Sequence, residues 1–252
     1  MAKRARAFGK LDRPDEAAAD WQRAWELRPG DVELASEWAA LHERLGQSEQ
    51  AAAVYGRLID DQRDNADAID ELARALRLRG AYYVRASKWK LAAADYAESV
   101  TVDPDSTSVD WMTPAALWAY ADDAQKHRLH CQKMAARFRD SMVTNDVERT
   151  VKVSLLLGPG LVSDPATIKR FLDAVAKTDD PGLLKWFLAC KALLACRNGD
   201  YAAAQQSVVE SLDLQKGEDE PGSMAGLMAR SVQTLIFARQ GMRPGPRAHW
   251  TS

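Results

Sequence analysis

The chain has 252 residues and a formal net charge of −2, which argues against a general nucleic-acid or membrane-surface binder. No apolar run approaches the roughly 20 residues that a bilayer span needs. Three cysteines (Cys131, Cys190, Cys196) cannot build a disulfide framework and fit a reducing cytoplasm. The basic start, MAKRARAFGKLDRPDE, lacks the apolar stretch of a secretory signal. Ala, Leu, Arg and Asp dominate while β-branched residues are sparse, so the expected class is all-α.

Residues 1–10 carry a short helical pattern, with Ala5 and Phe8 one turn apart. Pro14 suits the first turn of a second helix to Leu27, where its missing N–H costs nothing. Ala17, Trp21, Ala24, Trp25 and Arg28 trace one face of that helix. Pro29-Gly30-Asp31 breaks it and caps the next helix, which runs to Leu45 with Leu34, Trp38, Leu41 and Leu45 on one side. Gly46 stops it, and Ser48 to Asp61 forms its partner. Shifting the first pair by 34 residues lays Ala17 over Ala51, Ala18 over Ala52 and Trp21 over Tyr55. Small residues stand where backbones meet and aromatics where a gap must be filled, which marks a helix-turn-helix repeat.

From Ala66 the helical pattern runs unbroken to Ala86, about two turns longer than its counterparts. Re-phased from its far end, Gly80, Tyr83, Ala92, Tyr96 and Pro104 take the slots of Ala39, His42, Ala51, Tyr55 and Arg63, after an insertion of about seven residues. The next unit opens at Asp110-Trp111, with Thr113 as cap and Pro114 as the first helical residue. Asp122-Asp123 turns into AQKHRLHCQKMAARF, a helix to Phe138. DVERTVKVSLLL is expected to be helical despite its Val-rich middle, ended by Gly158-Pro159-Gly160. Asp164-Pro165 opens a helix with Ile168, Phe171, Leu172 and Val175 inward. Pro181 opens a clear pair in which Ala192, Gly199, Ala204 and Val208 repeat the order of Ala39, Gly46, Ala51 and Tyr55. A last helix spans Met224 to Arg239, Gly241 stops it, and residues 242–252 read as a disordered tail.

These slots resemble those of the tetratricopeptide repeat: small residues in each helix, a turn glycine, an aromatic filler and a closing proline. Ala17-Trp21-Ala24-Pro29, Gly80-Tyr83-Ala92-Tyr96-Pro104 and Ala192-Gly199-Ala204 carry the likeness, although Asp12 replaces a turn glycine and Arg63 a closing proline. The resemblance implies a right-handed α-solenoid of about six antiparallel helix pairs. It divides the chain into an array over 1–106, divergent pairs over 107–180 and C-terminal repeat-like helices over 181–241. The order of Cys131, Phe138, Glu148-Arg149, Leu155-Leu156-Leu157 and Gly160 further resembles a tetratricopeptide-like region of planctomycete-type bacterial proteins, where it follows a serine/threonine kinase or WD-repeat domain. Two functions follow from these likenesses. One is a non-catalytic scaffold binding a peptide or protein in its concave groove. The other is a regulatory or substrate-recruiting region of a bacterial serine/threonine kinase or similar multidomain signalling protein.

His127, His130 and Cys131 cluster on one helix, but a zinc site needs about four ligands and no second pair stands at the usual spacing. Burial is the better account of Cys131, and likewise of Cys190 and Cys196. No triad, nucleophile elbow or phosphate loop surrounds any nucleophile, so neither enzyme activity, cofactor nor metal is expected. On the long third-repeat helix, Arg74, Arg77, Arg85 and Lys88 project within about 80° of one another, with Ala81 between them. The resemblance places first helices along the groove, so this stripe is the expected binding surface for an acidic partner. The matching slots of the preceding first helix are Glu33, Ser36, Ala40 and Glu43. The competing reading is a solvated face neutralised by its neighbours.

Overall fold

The computed structural model describes residues 1–63, 65, 67–157, 165–215 and 224–241. The expected Gly158-Pro159-Gly160 stop, the loop before Met224 and the tail over 242–252 lie outside the described residues. Among the described residues there are thirteen helices and no strand. They are α1 (Ala2–Lys10), α2 (Pro14–Leu27), α3 (Val32–Arg44), α4 (Ser48–Arg63), α5 (Ile69–Arg85), α6 (Trp89–Val102) and α7 (Ser108–Tyr120). Then follow α8 (Ala124–Arg137), α9 (Thr144–Ser154), α10 (Pro165–Lys177), α11 (Pro181–Arg197), α12 (Tyr201–Asp213) and α13 (Met224–Arg239). The chain forms two compact units, Met1–His127 and Arg128–Ser252. None of these helices is long and apolar enough to cross a membrane.

In the first unit, α1 packs on α2, α3 on α4, and α5 on α6, which in turn packs on α7. In the second, α11 packs on α12 and α13 on both, while α9 packs on α10 and α11. The helix starts follow the local chemistry. Pro14 stands at the beginning of α2, and the Asp31 carboxylate accepts the Leu34 N–H at 2.9 Å to cap α3. Asp180 and Asp200 do the same for α11 and α12.

The stops are equally uniform. After α1, α3, α5, α7, α11 and α13 one residue is left-handed: Asp12 (φ 55°), Gly46 (68°), Ser87 (56°), Asp122 (54°), Gly199 (82°) and Gly241 (68°). At Gly46 this lets the Gln47 N–H reach the His42 carbonyl at 2.9 Å, closing the helix end. The same bond joins Arg13 to Phe8, Lys88 to Tyr83, Asp123 to Trp118 and Asp200 to Ala195. Asp12, which departs from the repeat's glycine, adopts the turn regardless because aspartate tolerates this region.

Packing follows the small-and-aromatic alternation. Ala39 and Ala51 are fully buried, and Trp38 and Tyr55 fill the space beside them. Gly80 sits against the Tyr96 ring so closely that a Cβ there would lie 3.0 Å from two ring carbons. The core of the first unit is built from such residues, including Trp21, Trp25, Leu58, Ile59 and Leu76. Around Phe171, Phe187, Cys190 and Val208 a second core forms in the C-terminal unit. The described residues are thus all-α, and each unit is built from packed antiparallel helix pairs.

Four details correct the sequence reading. Helix α5 runs over 17 residues from Ile69, one turn longer than the 13 of α3 rather than two, and α4 with 16 absorbs part of the insertion. Helix α7 begins at Ser108, because Thr107 and Asp110 form a reciprocal capping box, and buried Pro114 lies inside it. Neither Thr113 nor Pro114 opens it. On α10, Phe171 and Val175 are buried but Leu172 is exposed, one step too far around the helix. Arg28 and Leu45 likewise end their helices exposed instead of continuing the buried face.

Candidate partner-binding face

Counting back from each left-handed turn residue puts the first helices of the N-terminal unit in register. Thirteen residues before the turn stand Glu33, Arg74 and Val109, and ten before it Ser36, Arg77 and Met112. Six before it stand Ala40, Ala81 and Ala116, and two before it Arg44, Arg85 and Tyr120. These offsets keep one helical face, and every one of these residues is exposed or half-exposed.

The arginine stripe of α5 is mostly engaged within the chain. Arg85 is bidentate to Glu43 of α3, with Nη2 2.8 Å from Oε1 and Nε 3.1 Å from Oε2. Burial pushes the Tyr55 hydroxyl up, and nearby Glu43 adds to it, while Arg85 works the other way. Tyr82 stacks beside Tyr55 with centroids 5.9 Å apart and donates its hydroxyl to the Ser48 carbonyl at 2.6 Å. Arg77 reaches Asp103 at 3.2 Å. Burial opposes ionisation of Asp110, yet the Thr107 hydroxyl and N–H, with Arg77 nearby, hold its carboxyl below the usual range. Of the stripe, Arg74 is exposed and forms no ion pair with any described residue. Lys88 lies outside α5: the helix ends at Arg85, and Lys88 instead precedes α6 as its capping residue, so its helical projection does not hold. On α3, Glu33 is exposed and the Ser36 hydroxyl donates to the Val32 carbonyl at 2.8 Å.

Two further contacts were not visible as sequence patterns. Arg79 is bidentate to Asp95 at 2.8 Å, and Arg4 to Asp20, each joining a first helix to its own partner 16 residues on. The equivalent slot of the middle pair holds Trp38 and Val54, both buried. The apolar face of α7 also escaped, since Pro114 drew the helix start past Val109. Counting from the turn would have found it.

His127, His130 and Cys131 are buried on α8. Burial pushes the Cys131 thiol up to about 11, against a hydrogen bond with Ser154. Cys190 is driven well up by the same desolvation. Among the described residues, no three His, Cys, Asp or Glu side chains gather to hold a metal.

No protein-family model matches this chain. No curated protein matches it either. Solved structures that resemble it include YrrB, a tetratricopeptide repeat protein with an unusual peptide-binding site, at 14% identity over 85% of this chain and 99% of that one, TM-score 0.49. BtubC from P. vanneervenii is similar at 15% identity over 96% and 95% of the two chains, TM-score 0.49. The TPR2AB domain of yeast Sti1 in its pHSP90 complex is similar at 16% identity over 95% and 96%, TM-score 0.34. The chain's own recurring helix pair, with its shared turn bond and small-aromatic packing, defines the class: an all-α protein of helix-turn-helix repeats.

Proposed function

We propose that this chain is a non-catalytic protein–protein interaction module that holds a peptide or protein partner against α3, α5 and α7 of its N-terminal unit. The observation that carries this reading is the change of chemistry along one register. Glu33 gives way to Arg74 and then Val109, while Arg44 and Arg85 give way to Tyr120. Between them, Ala40, Ala81 and Ala116 keep the middle of each helix small, which leaves room for a partner's backbone. An extended partner of mixed character suits that order: a basic group near Glu33 and Ser36, a carboxylate near Arg74, and an apolar side chain against α7. The pairs Arg85–Glu43 and Arg77–Asp103 fix the shape of this face, and a partner's carboxylate competes for them only by breaking an existing bond.

Arg74→Glu tests the reading without disturbing an ion pair. Affinity capture with the wild-type chain, followed by the same capture with Arg74→Glu, is expected to lose the acidic partner. Retention of every captured protein by the variant contradicts the proposed face.

A further inference from the structure

Two cavities open at matching junctions of the two units. In the first unit a cavity of about 230 Å³ is lined by Gly9, Asp12, Pro14, Leu41, Arg44 and Leu45. In the second, a cavity of about 220 Å³ is lined by Cys196, Gly199, Tyr201, Arg239 and their neighbours. The register is the same in both. Arg44 and Arg239 stand two residues before Gly46 and Gly241, and Gly9 and Cys196 stand three before Asp12 and Gly199.

A third copy of this junction shows what the arginine takes. There the equivalent of Arg44 is Arg85, and the equivalent of Gly9 is Glu43, and the two are joined by the bidentate bond already described. Where the carboxylate position holds glycine or cysteine, a cavity adjoins the arginine. The Arg44 guanidinium lies over Gly9: a Cβ there would be 3.3 Å from its Nη2. Arg44 forms no ion pair or hydrogen bond with any described residue. Asp12 lines the same cavity and is not paired with Arg44 either.

We propose that the Gly9–Arg44 cavity is a carboxylate subsite that takes an aspartate or glutamate side chain of a partner protein, replacing in trans what Glu43 supplies in cis. The guanidinium fork matches a carboxylate bidentately, and the volume suits one side chain rather than a larger ligand. Leu41 and Leu45 supply an apolar wall for the methylenes of such a side chain. Asp12 opposes a second negative charge, so it sets the affinity of the slot downward. The subsite shares α3 and Arg44 with the proposed face and adds α1, and its test with a free carboxylate is read separately from capture of a partner at Arg74.

The test needs no natural partner. N-acetylglutamate amide is titrated into the isotope-labelled full chain, with N-acetylglutamine amide as control, while the Gly9 amide and Arg44 side-chain signals are followed by NMR. Saturable shifts are expected with the acid alone, lost in Arg44→Gln, retained in Arg23→Gln and tighter in Asp12→Asn, where asparagine tolerates the left-handed turn. Gly9→Glu is expected to rebuild the Glu43–Arg85 arrangement, raise Tm and abolish the shifts. Equal shifts with the glutamine compound, shifts that survive Arg44→Gln, or a folded Gly9→Glu variant that still binds would each overturn the proposal.

Discussion

Arg85 on α5 grips Glu43 on α3 across two repeats, both nitrogens of its fork engaged with the one carboxylate. The pair therefore belongs to the stacking of repeats, not to either helix alone. Because the Arg85 side chain is 55% exposed, solvent screens much of its worth. A double-mutant cycle with Arg85→Gln and Glu43→Gln is expected to give a coupling of roughly 0.5–1 kcal/mol that shrinks in high salt. Zero coupling in low-salt denaturation would show that the contact contributes nothing to stacking.

Gly80 and Tyr96 predict a sharper coupling. Gly80→Ala gains helix propensity of about 1 kcal/mol, but the added methyl meets the Tyr96 ring and overpacking costs about 1–3 kcal/mol. Urea denaturation is expected to show net destabilisation in the wild-type background and net stabilisation in a Tyr96→Ala background. The same sign in both backgrounds would refute a steric origin.

Ser87 holds the left-handed turn position without the tolerance of aspartate or the freedom of glycine. Ser87→Gly is expected to stabilise the chain by about 1 kcal/mol, whereas Gly46→Ala is expected to destabilise it by at least as much. Thermal unfolding of the two variants reads both signs.

Much of this architecture was legible before any coordinates. Pro14, Asp31, Gly46, Pro181 and Gly199 punctuate helices whose ends match the structure closely, because each acts through its own backbone. The start of helix α7 differs from the sequence reading because Pro114 resembles Pro14 locally, while the capping box that starts the helix lies seven residues upstream at Thr107. Lys88 was projected onto α5 because Ser87, unlike Gly46, gives no sign of the break it makes. The ion pairs were the least legible part. Arg85 finds Glu43 at a sequence separation of 42, and nothing local records which helices become neighbours. The candidate face was half visible: the arginines were found, but their partners and the apolar end at Val109 and Tyr120 required the turn register.

Glu148 on α9 gives a pH-dependent prediction. It is buried, and desolvation raises its carboxyl above the ordinary 4.5, only partly offset by Lys152, whose Nζ lies 3.0 Å from Oε1. A raised folded-state value means the folded chain holds this proton more tightly than the unfolded chain. The associated stability is present below about pH 4.5 and falls as pH rises through the folded value. The Tm of wild type relative to Glu148→Gln is therefore expected to be highest at the acid end and to decline towards neutrality. A difference that is flat, or that grows with pH, would contradict the burial argument.

The central claim is that partners dock on the first helices of the N-terminal unit. A photo-crosslinking residue placed at Ala81 on α5 and, separately, at exposed Ala53 on α4 tests it most directly. In lysate from the native host, the Ala81 position is expected to capture a discrete partner that Arg74→Glu abolishes, and the Ala53 position is expected to capture none. Capture of the same partner from Ala53 but not from Ala81 would place the binding surface on the second helices and contradict the account.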